Sequence, residues 1–330
     1  MLHVALIGGG YIGDCHIAAY QKMNRELVRV TAVVDANPKS GQAVAEKAGC
    51  RWYPTLEEAV EHQLVDVVDI CVPTFLHEMF TVKAANMGKH VLCEKPAALS
   101  LESFDRMVDA CRKNGVRYMT AQVVRFLPVY AETARRIGEL GSIHMLSEKR
   151  LCQHPTWTSW HRDPEKSGGG LIDLNTHDID YIYSLFGMPS GIASVGWKTP
   201  EGCWNHVSQV LRWADKQAVC ETSLEMTGDF PFTEELRITG DGGTLHYRST
   251  AGVNIKEEEA VSSFLYFPVN SGPQSLETEM YDAFQVMIEA FLRAVEQNTP
   301  VPVPPEDTRN VMRILEASRR SLETGETVRL

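Results

Sequence analysis

Apolar residues follow two patterns along this chain, and the pattern changes once. Up to about residue 122, short and nearly continuous apolar runs alternate with amphipathic stretches. The runs predict strands over His3–Ile7, Val28–Val34, Val67–Val72, His90–Cys93 and Val116–Ala121. Between them the periodicity predicts helices over Ile12–Met23, after Asn37-Pro38, over Leu76–Met87 closed by Gly88, and from Ser100 to Asn114 with Gly115 beyond. Proline suits a first helical turn, serine a cap and glycine a stop. Strands apolar on both faces are covered by helices on both faces, so the alternation implies parallel, right-handed βαβ units.

Beyond residue 122 a helix is predicted near Pro128–Gly138, then a strand over Ile143–Leu151, a Trp/His/Pro-rich loop, and a helix from the Gly168–Gly170 cluster to Phe186. From Ile192 to about Phe267 strands follow one another without helices, with Gly240–Gly243 as a hairpin turn. Two helices near Glu279–Glu296 and Glu306–Glu323 flank the linker Pro300–Pro305. The expected fold is α/β. A doubly wound parallel sheet occupies residues 1–122. An α+β domain with an open, mostly antiparallel sheet occupies 123–330, its C-terminal helix free to pack back on the first domain.

The first strand runs into Gly8-Gly9-Gly10-Tyr11-Ile12-Gly13, a G-x-G-x-x-G turn opening a helix. In this context the motif marks a Rossmann dinucleotide site. Gly8 allows the tight turn, Gly10 the approach of a pyrophosphate, and Gly13 close helix–strand packing. Tyr11 and Ile12 open the helix whose N–H groups meet the phosphates. The second strand ends in Asp35, where a ribose 2′-hydroxyl needs an acceptor and a 2′-phosphate would be repelled. NAD is therefore expected; Lys39 nearby leaves NADP possible.

Lys95, in Glu94-Lys95-Pro96, ends the fourth predicted strand, and ligands bind at the carboxyl ends of parallel strands. Asp173 and His177 are four apart, so on one helix they share a face. A carboxylate beside a histidine fixes its tautomer and raises its basicity, which suits removal of a hydroxyl proton. His154, His161, Asp173 and His177 carry metal-ligand chemistry, but without HExxH or CxxC no metal is expected.

Composition narrows the partners. A net charge of −11 argues against nucleic acid and anionic membranes. No apolar run is long enough to span a bilayer. Eight scattered cysteines, several in strand-like runs, read as reduced core thiols of a cytoplasmic protein. The N-terminal apolar run reads as a strand and not a signal peptide. An open sheet with one covered face implies a homo-dimer or homo-tetramer.

At these residues the chain resembles the Gfo/Idh/MocA oxidoreductases. The resemblance is carried by GGGYIG, VPTFLHEMFTVKAANMGKHVLCEKP, RFLP from Arg125, and SGGGLIDLNTHDID. It implies an NAD-dependent sugar, inositol or polyol dehydrogenase, with His177 as general base, Asp173 as its partner and Lys95 holding the hydroxyl or alkoxide. It further implies that Pro73, Thr74, His77, Glu94, Lys95 and Gln122 line the cofactor. Asn175 and Gln122 depart from common family residues near the expected substrate. The loop Gln153–Arg162 is expected to select the substrate, with Trp157 and Trp160 either stacking on a sugar ring or packing under the loop. Two other functions stay open: a family hydrolase that retains NAD and cleaves a glycosidic bond, and a non-catalytic NAD-binding regulator.

Overall fold

The computed structural model describes residues 1–155, 158–252 and 256–330. Two compact units divide it: residues 1–126 with 281–309, and 127–280 with 310–330. The first unit opens with β1 (Leu2–Ile7), α1 (Tyr11–Lys22), β2 (Val28–Val34), α2 (Pro38–Ala48), β3 (Arg51–Tyr53) and α3 (Leu56–His62). It continues with β4 (Val67–Ile70), α4 (His77–Asn86), β5 (His90–Glu94), α5 (Leu101–Lys113) and β6 (Tyr118–Ala121). The six strands are all parallel, in the order β3-β2-β1-β4-β5-β6.

The order reverses between β1 and β4, and their carboxyl ends form the crevice where such sheets bind ligands. Local chemistry sets the elements as expected: Ser100 Oγ accepts from Ser103 N–H at 3.1 Å to start α5, and Gly115 beyond its end has φ +67°. The strand β3 and helix α3 were not anticipated. At three residues β3 is too short to show a pattern.

The second unit begins with α6 (Pro128–Arg136), β7 (Ile143–Leu151), α7 (Pro164–Ser167), α8 (Gly169–Asp173) and α9 (Asn175–Phe186). Then come β8 (Gly191–Lys198), β9 (Trp204–Arg212), β10 (Gln217–Ser223), β11 (Phe232–Gly240), β12 (Gly243–Gly252), β13 (Lys256–Pro268) and β14 (Gln274–Ser275). The chain closes with α10 (Ala283–Glu296), α11 (Pro305–Thr324) and β15 (Val328–Arg329). The nine-stranded sheet has the order β14-β13-β12-β11-β7-β10-β9-β8-β15. Only β7 and β10 pair in parallel, because α7–α9 and β8–β9 separate them in sequence.

One face of this sheet is covered by helices. Asn175 of α9 donates to Thr222 Oγ1 at 2.8 Å, and Ser318 of α11 accepts from Gln209 Nε2 at 2.7 Å. The other face is partly open, with Val195 and Trp197 71% and 50% exposed. Residues 281–309, assigned from sequence to the second domain, instead pack with the first unit. Met287, Ile288, Phe291 and Leu292 of α10 join the core built by Val4, Leu6, Ile17 and Leu92. Amphipathicity shows that α10 has an apolar face; it cannot show which core receives it.

Candidate active site

The glycine turn divides its tasks physically. Gly8 has φ +108°, and a Cβ there would stand 2.6 Å from the Cys71 carbonyl oxygen. A Cβ on Gly13 would collide with the Gly8 carbonyl, so Gly13 lets α1 lie close on β1. Gly10 differs: a Cβ there meets nothing within 4 Å. The protein itself makes no use of the bare backbone at Gly10, which leaves that space for a ligand.

No side chain caps α1 at Gly10, and the first helical bond runs from Asp14 N–H to Gly10 O at 3.0 Å. The preceding N–H groups therefore point along the axis, as an anion site needs. Tyr11 is 65% exposed on this first turn, while Ile12 packs on the core. Asp35, just past β2, accepts from Gly9 N–H and Asn37 N–H, both at 2.7 Å. These bonds fix the carboxylate and leave lone pairs for a ribose diol. Ala36 and Lys39 beside it are exposed. A bare Gly10, an uncapped helix start and a fixed acid fit a bound NAD.

Lys95 follows β5 in a half-buried position, and its peptide bond to Pro96 is cis. Pro73 and Thr74 follow β4 at the crevice, with Thr74 buried. Gln122 follows β6, buried, and its side-chain oxygen makes no hydrogen bond among the described residues. Two of the expected cofactor contacts engage protein partners. His77 is 1% exposed, with Nδ1 2.9 Å from Pro96 O and Nε2 2.8 Å from Val72 O. Both ring nitrogens face carbonyl oxygens, one in the turn after β5 and one in the turn after β4. Glu94 is likewise sealed. One oxygen accepts from Lys95 N–H at 2.9 Å, and the other lies 3.1 Å from His16 Nε2.

Sequence reading missed that partner set. His16 of α1 places Nδ1 2.8 Å from Asp69 Oδ2, Tyr20 donates to the same oxygen at 2.9 Å, and Cys71 Sγ lies 3.4 Å from Nδ1. His16 and Asp69 are completely buried. Asp69 stands inside the apolar run Val67–Ile70, and a buried acid requires a partner. That was the available signal, since His16 and Tyr20 lie on the inward face of α1. Burial disfavours charge on His16, but Asp69 and Cys71 together outweigh it and hold the imidazole pKa well above its ordinary value. Burial pushes the Cys71 thiol upward.

In the second unit the expected single helix breaks at Leu174, between α8 and α9. Asp173 and His177 therefore do not share one helix. They nevertheless face the same way: from Gly169 to Ile182 every other residue is buried, and these two are half-buried. The glycine cluster makes this possible. A Cβ on Gly169 would stand 2.9 Å from Cys203 Cβ, and Gly170 N–H donates to Asn205 Oδ1 at 2.7 Å, so α8 lies directly on β9.

Asn175 is turned into the sheet toward Thr222 and Cys220, which corrects its expected place near substrate. His161, stacked on Trp160 at 3.8 Å between ring centroids, brings Nε2 to 3.9 Å from Asp173 Oδ2. Trp157 lies outside the described residues.

Beneath α9, Arg150 of β7 donates to Asp178 at 2.7 Å and pairs with Glu234. Glu148 is fully buried beside them, next to the Tyr130 hydroxyl. Burial pushes both Glu148 and Asp178 upward. The rise is the larger at Glu148, because Asp178 keeps its guanidinium contact. Among the described residues, His16, Asp69 and Cys71 are the group whose donor atoms come within reach of one metal ion. Their hydrogen bonds to one another already account for the arrangement.

A parallel sheet in this strand order, opened by this glycine turn, defines a dinucleotide-binding Rossmann fold. The chain belongs to the Gfo/Idh/MocA oxidoreductase family: its NAD-binding Rossmann pattern matches residues 2–122, and its C-terminal α/β pattern matches 134–330. A 2,7-anhydro-N-acetylneuraminate hydratase of Escherichia coli is 32% identical over 201 residues, 59% of this chain and 53% of that protein. The chain thus spans about half the length of such relatives. A D-xylose 1-dehydrogenase (NADP(+)) of Haloferax volcanii is 28% identical over 91% of each chain. The solved aldose-aldose oxidoreductase of Caulobacter crescentus is 22% identical, with a TM-score of 0.85 over 100% of this chain and 99% of that one. That last likeness is one of fold.

Proposed function

We propose that this protein oxidises a secondary hydroxyl of a sugar, inositol or related polyol to a ketone, reversibly and with NAD. The carrying observation is that Asp173 and His177 alone are left accessible in an otherwise buried helical stretch. Fold stability has no use for two adjacent polar groups held at a surface. Bound NAD would accept the hydride. His177 takes the hydroxyl proton as the C–H bond breaks, and Asp173 supports the charged ring. Lys95 holds the developing alkoxide through a charge-assisted hydrogen bond. Trp160, stacked on His161, supplies an aromatic face for the sugar ring, and Gln122 a polar contact.

Asp35 beside Ala36 favours NAD, and exposed Lys39 leaves NADP usable. The eight cysteines are free, which suits a reducing compartment such as the cytoplasm. No helix among the described residues is long and apolar enough to cross a membrane. The half-open sheet face with Val195 and Trp197 supports a homo-dimer or homo-tetramer; light scattering that finds only monomer would refute this.

The test is a screen of inositols, aldoses and sugar acids with NAD and NADP, read at the NADH absorbance. Turnover with stoichiometric NADH is the expected result. The hydratase relatives favour a second reading, in which NAD stays bound and the net reaction is redox-neutral. Product formed without net NADH, and without added NAD, would select it.

A further inference from the structure

Glu94 occupies a position of unusual leverage. Its Oε2 accepts from the backbone N–H of Lys95, the residue that follows it, and so shapes the turn carrying that lysine. Its Oε1 faces His16 Nε2 at 3.1 Å. His16 reaches back through Nδ1 to Asp69, which Tyr20 and the Cys71 thiol also approach, at 2.9 and 3.6 Å. Phe284 of α10 closes the imidazole from another side, with ring centroids 5.3 Å apart. Carboxylates accept and do not donate, so both His16 contacts are hydrogen bonds only when both ring nitrogens carry protons. The doubly protonated ring then joins three elements: α1, which starts at the pyrophosphate turn, the end of β4, and the end of β5.

We infer that His16 is a positioning residue for Lys95, acting through the Glu94 carboxylate. The inference rests on the reading of Lys95 as a site residue. It adds that the helix receiving the dinucleotide and the turn presenting the lysine are held in register by one buried side chain. His16 touches neither cofactor nor substrate. Without it, Glu94 loses its buried donor and is free to leave the Lys95 N–H for another partner. A buried carboxylate without a donor does not keep its place.

A substitution pair separates this from simple bracing of α1. Glutamine places an amide nitrogen near Nε2, toward Glu94, whereas asparagine places one near Nδ1, toward Asp69. Full-length protein is labelled with trace acetic anhydride, and Lys95 acetylation is measured by peptide mass spectrometry against exposed Lys113. NADH affinity is read separately by fluorescence titration. In His16→Asn, Lys95 labelling should rise by about tenfold, the scale of one lost hydrogen bond to a charged group. In His16→Gln it should stay within about threefold of the parent. Equal labelling in all three proteins, or better rescue by asparagine, overturns the inference.

Should His16→Asn fail to fold, Glu94→Gln reads the same link; unchanged Lys95 labelling there overturns it too. Protection of Lys95 by NADH in the parent protein tests the underlying reading independently. Its absence would remove Lys95 from the cofactor site without touching the ranking of the two His16 variants.

Discussion

The two sheets of this protein are buried differently, and the difference decides where each unit keeps its polar chemistry. In the parallel sheet β4 and β6 are buried at every position, and β5 at all but its first. Strands covered on both sides leave charged groups only the strand ends. Gly8, Asp35, Lys95 and Gln122 all lie just past the ends of β1, β2, β5 and β6. Asp69 is the exception inside a strand, and it survives because His16 meets it. In the mixed sheet β7 alternates, burying Ile143, Leu146, Glu148 and Arg150 on the helix side. There the ionic groups sit under a helix and fix it, while Asp173 of α8 and His177 of α9 are the half-buried residues of the helical stretch above. One sheet keeps its polar groups at its strand ends; the other keeps them beneath its covering helices.

The largest expected effects are chemical and strike each unit without unfolding it. Lys95→Ala and His177→Ala should each lower kcat by ~10²–10⁴-fold, while calorimetric NAD affinity and thermal midpoint change little. Near-normal kcat in either variant at saturating substrate would remove that residue from the proposed chemistry. Arg150→Met should produce the largest loss of stability, ~3–5 kcal/mol in urea unfolding, because it strands buried carboxylates beneath α9. A small loss would mean that the network does not hold the second unit as described.

The glycine pair sharpens the contrast within the first unit. Gly13→Ala should cost stability, because its Cβ meets the Gly8 carbonyl. Gly10→Ala should leave the thermal midpoint unchanged and weaken NAD by about tenfold or more, since its Cβ intrudes only on a ligand. Equal midpoints for the two variants, or unchanged NAD affinity in Gly10→Ala, would sink the division of roles.

The smallest effect is a change of slope. Glu148 has a folded pKa raised well above its ordinary 4.5 by burial. Its neutral form stabilises the fold, and that contribution declines as pH rises above 4.5 toward the folded pKa. Glu148→Gln removes the decline, so the variant should gain on the parent as pH rises, seen in thermal midpoints across a pH series. A parallel pH dependence in both proteins would place the proton elsewhere.

Legibility followed pattern length. The parallel strands were readable because continuous apolar runs between helices have few other solutions, and β7 agreed at both ends. The edge strand β3 was too short to carry a period. The spacing of four between Asp173 and His177 was readable, but the break at Leu174 was not. That break depends on how closely α8 lies against β9 through Gly169 and Gly170. His77 and Glu94 were read as cofactor contacts from the resemblance to the family. Position along a strand says nothing about which neighbour a side chain engages, and both turned inward to protein partners.

By itself the sequence determined the parallel sheet, the glycine turn after β1, the acid after β2 and the residue types at the strand ends, because each follows from local sterics and hydrophobic period. Tertiary structure alone decided which core received α10, that His16 met Asp69 and Glu94, and that Arg150 lay beneath Asp178. These pairings join residues 28 to 78 positions apart, or more for α10. A buried charge dictates that it needs a partner, but only packing brings a particular one within reach.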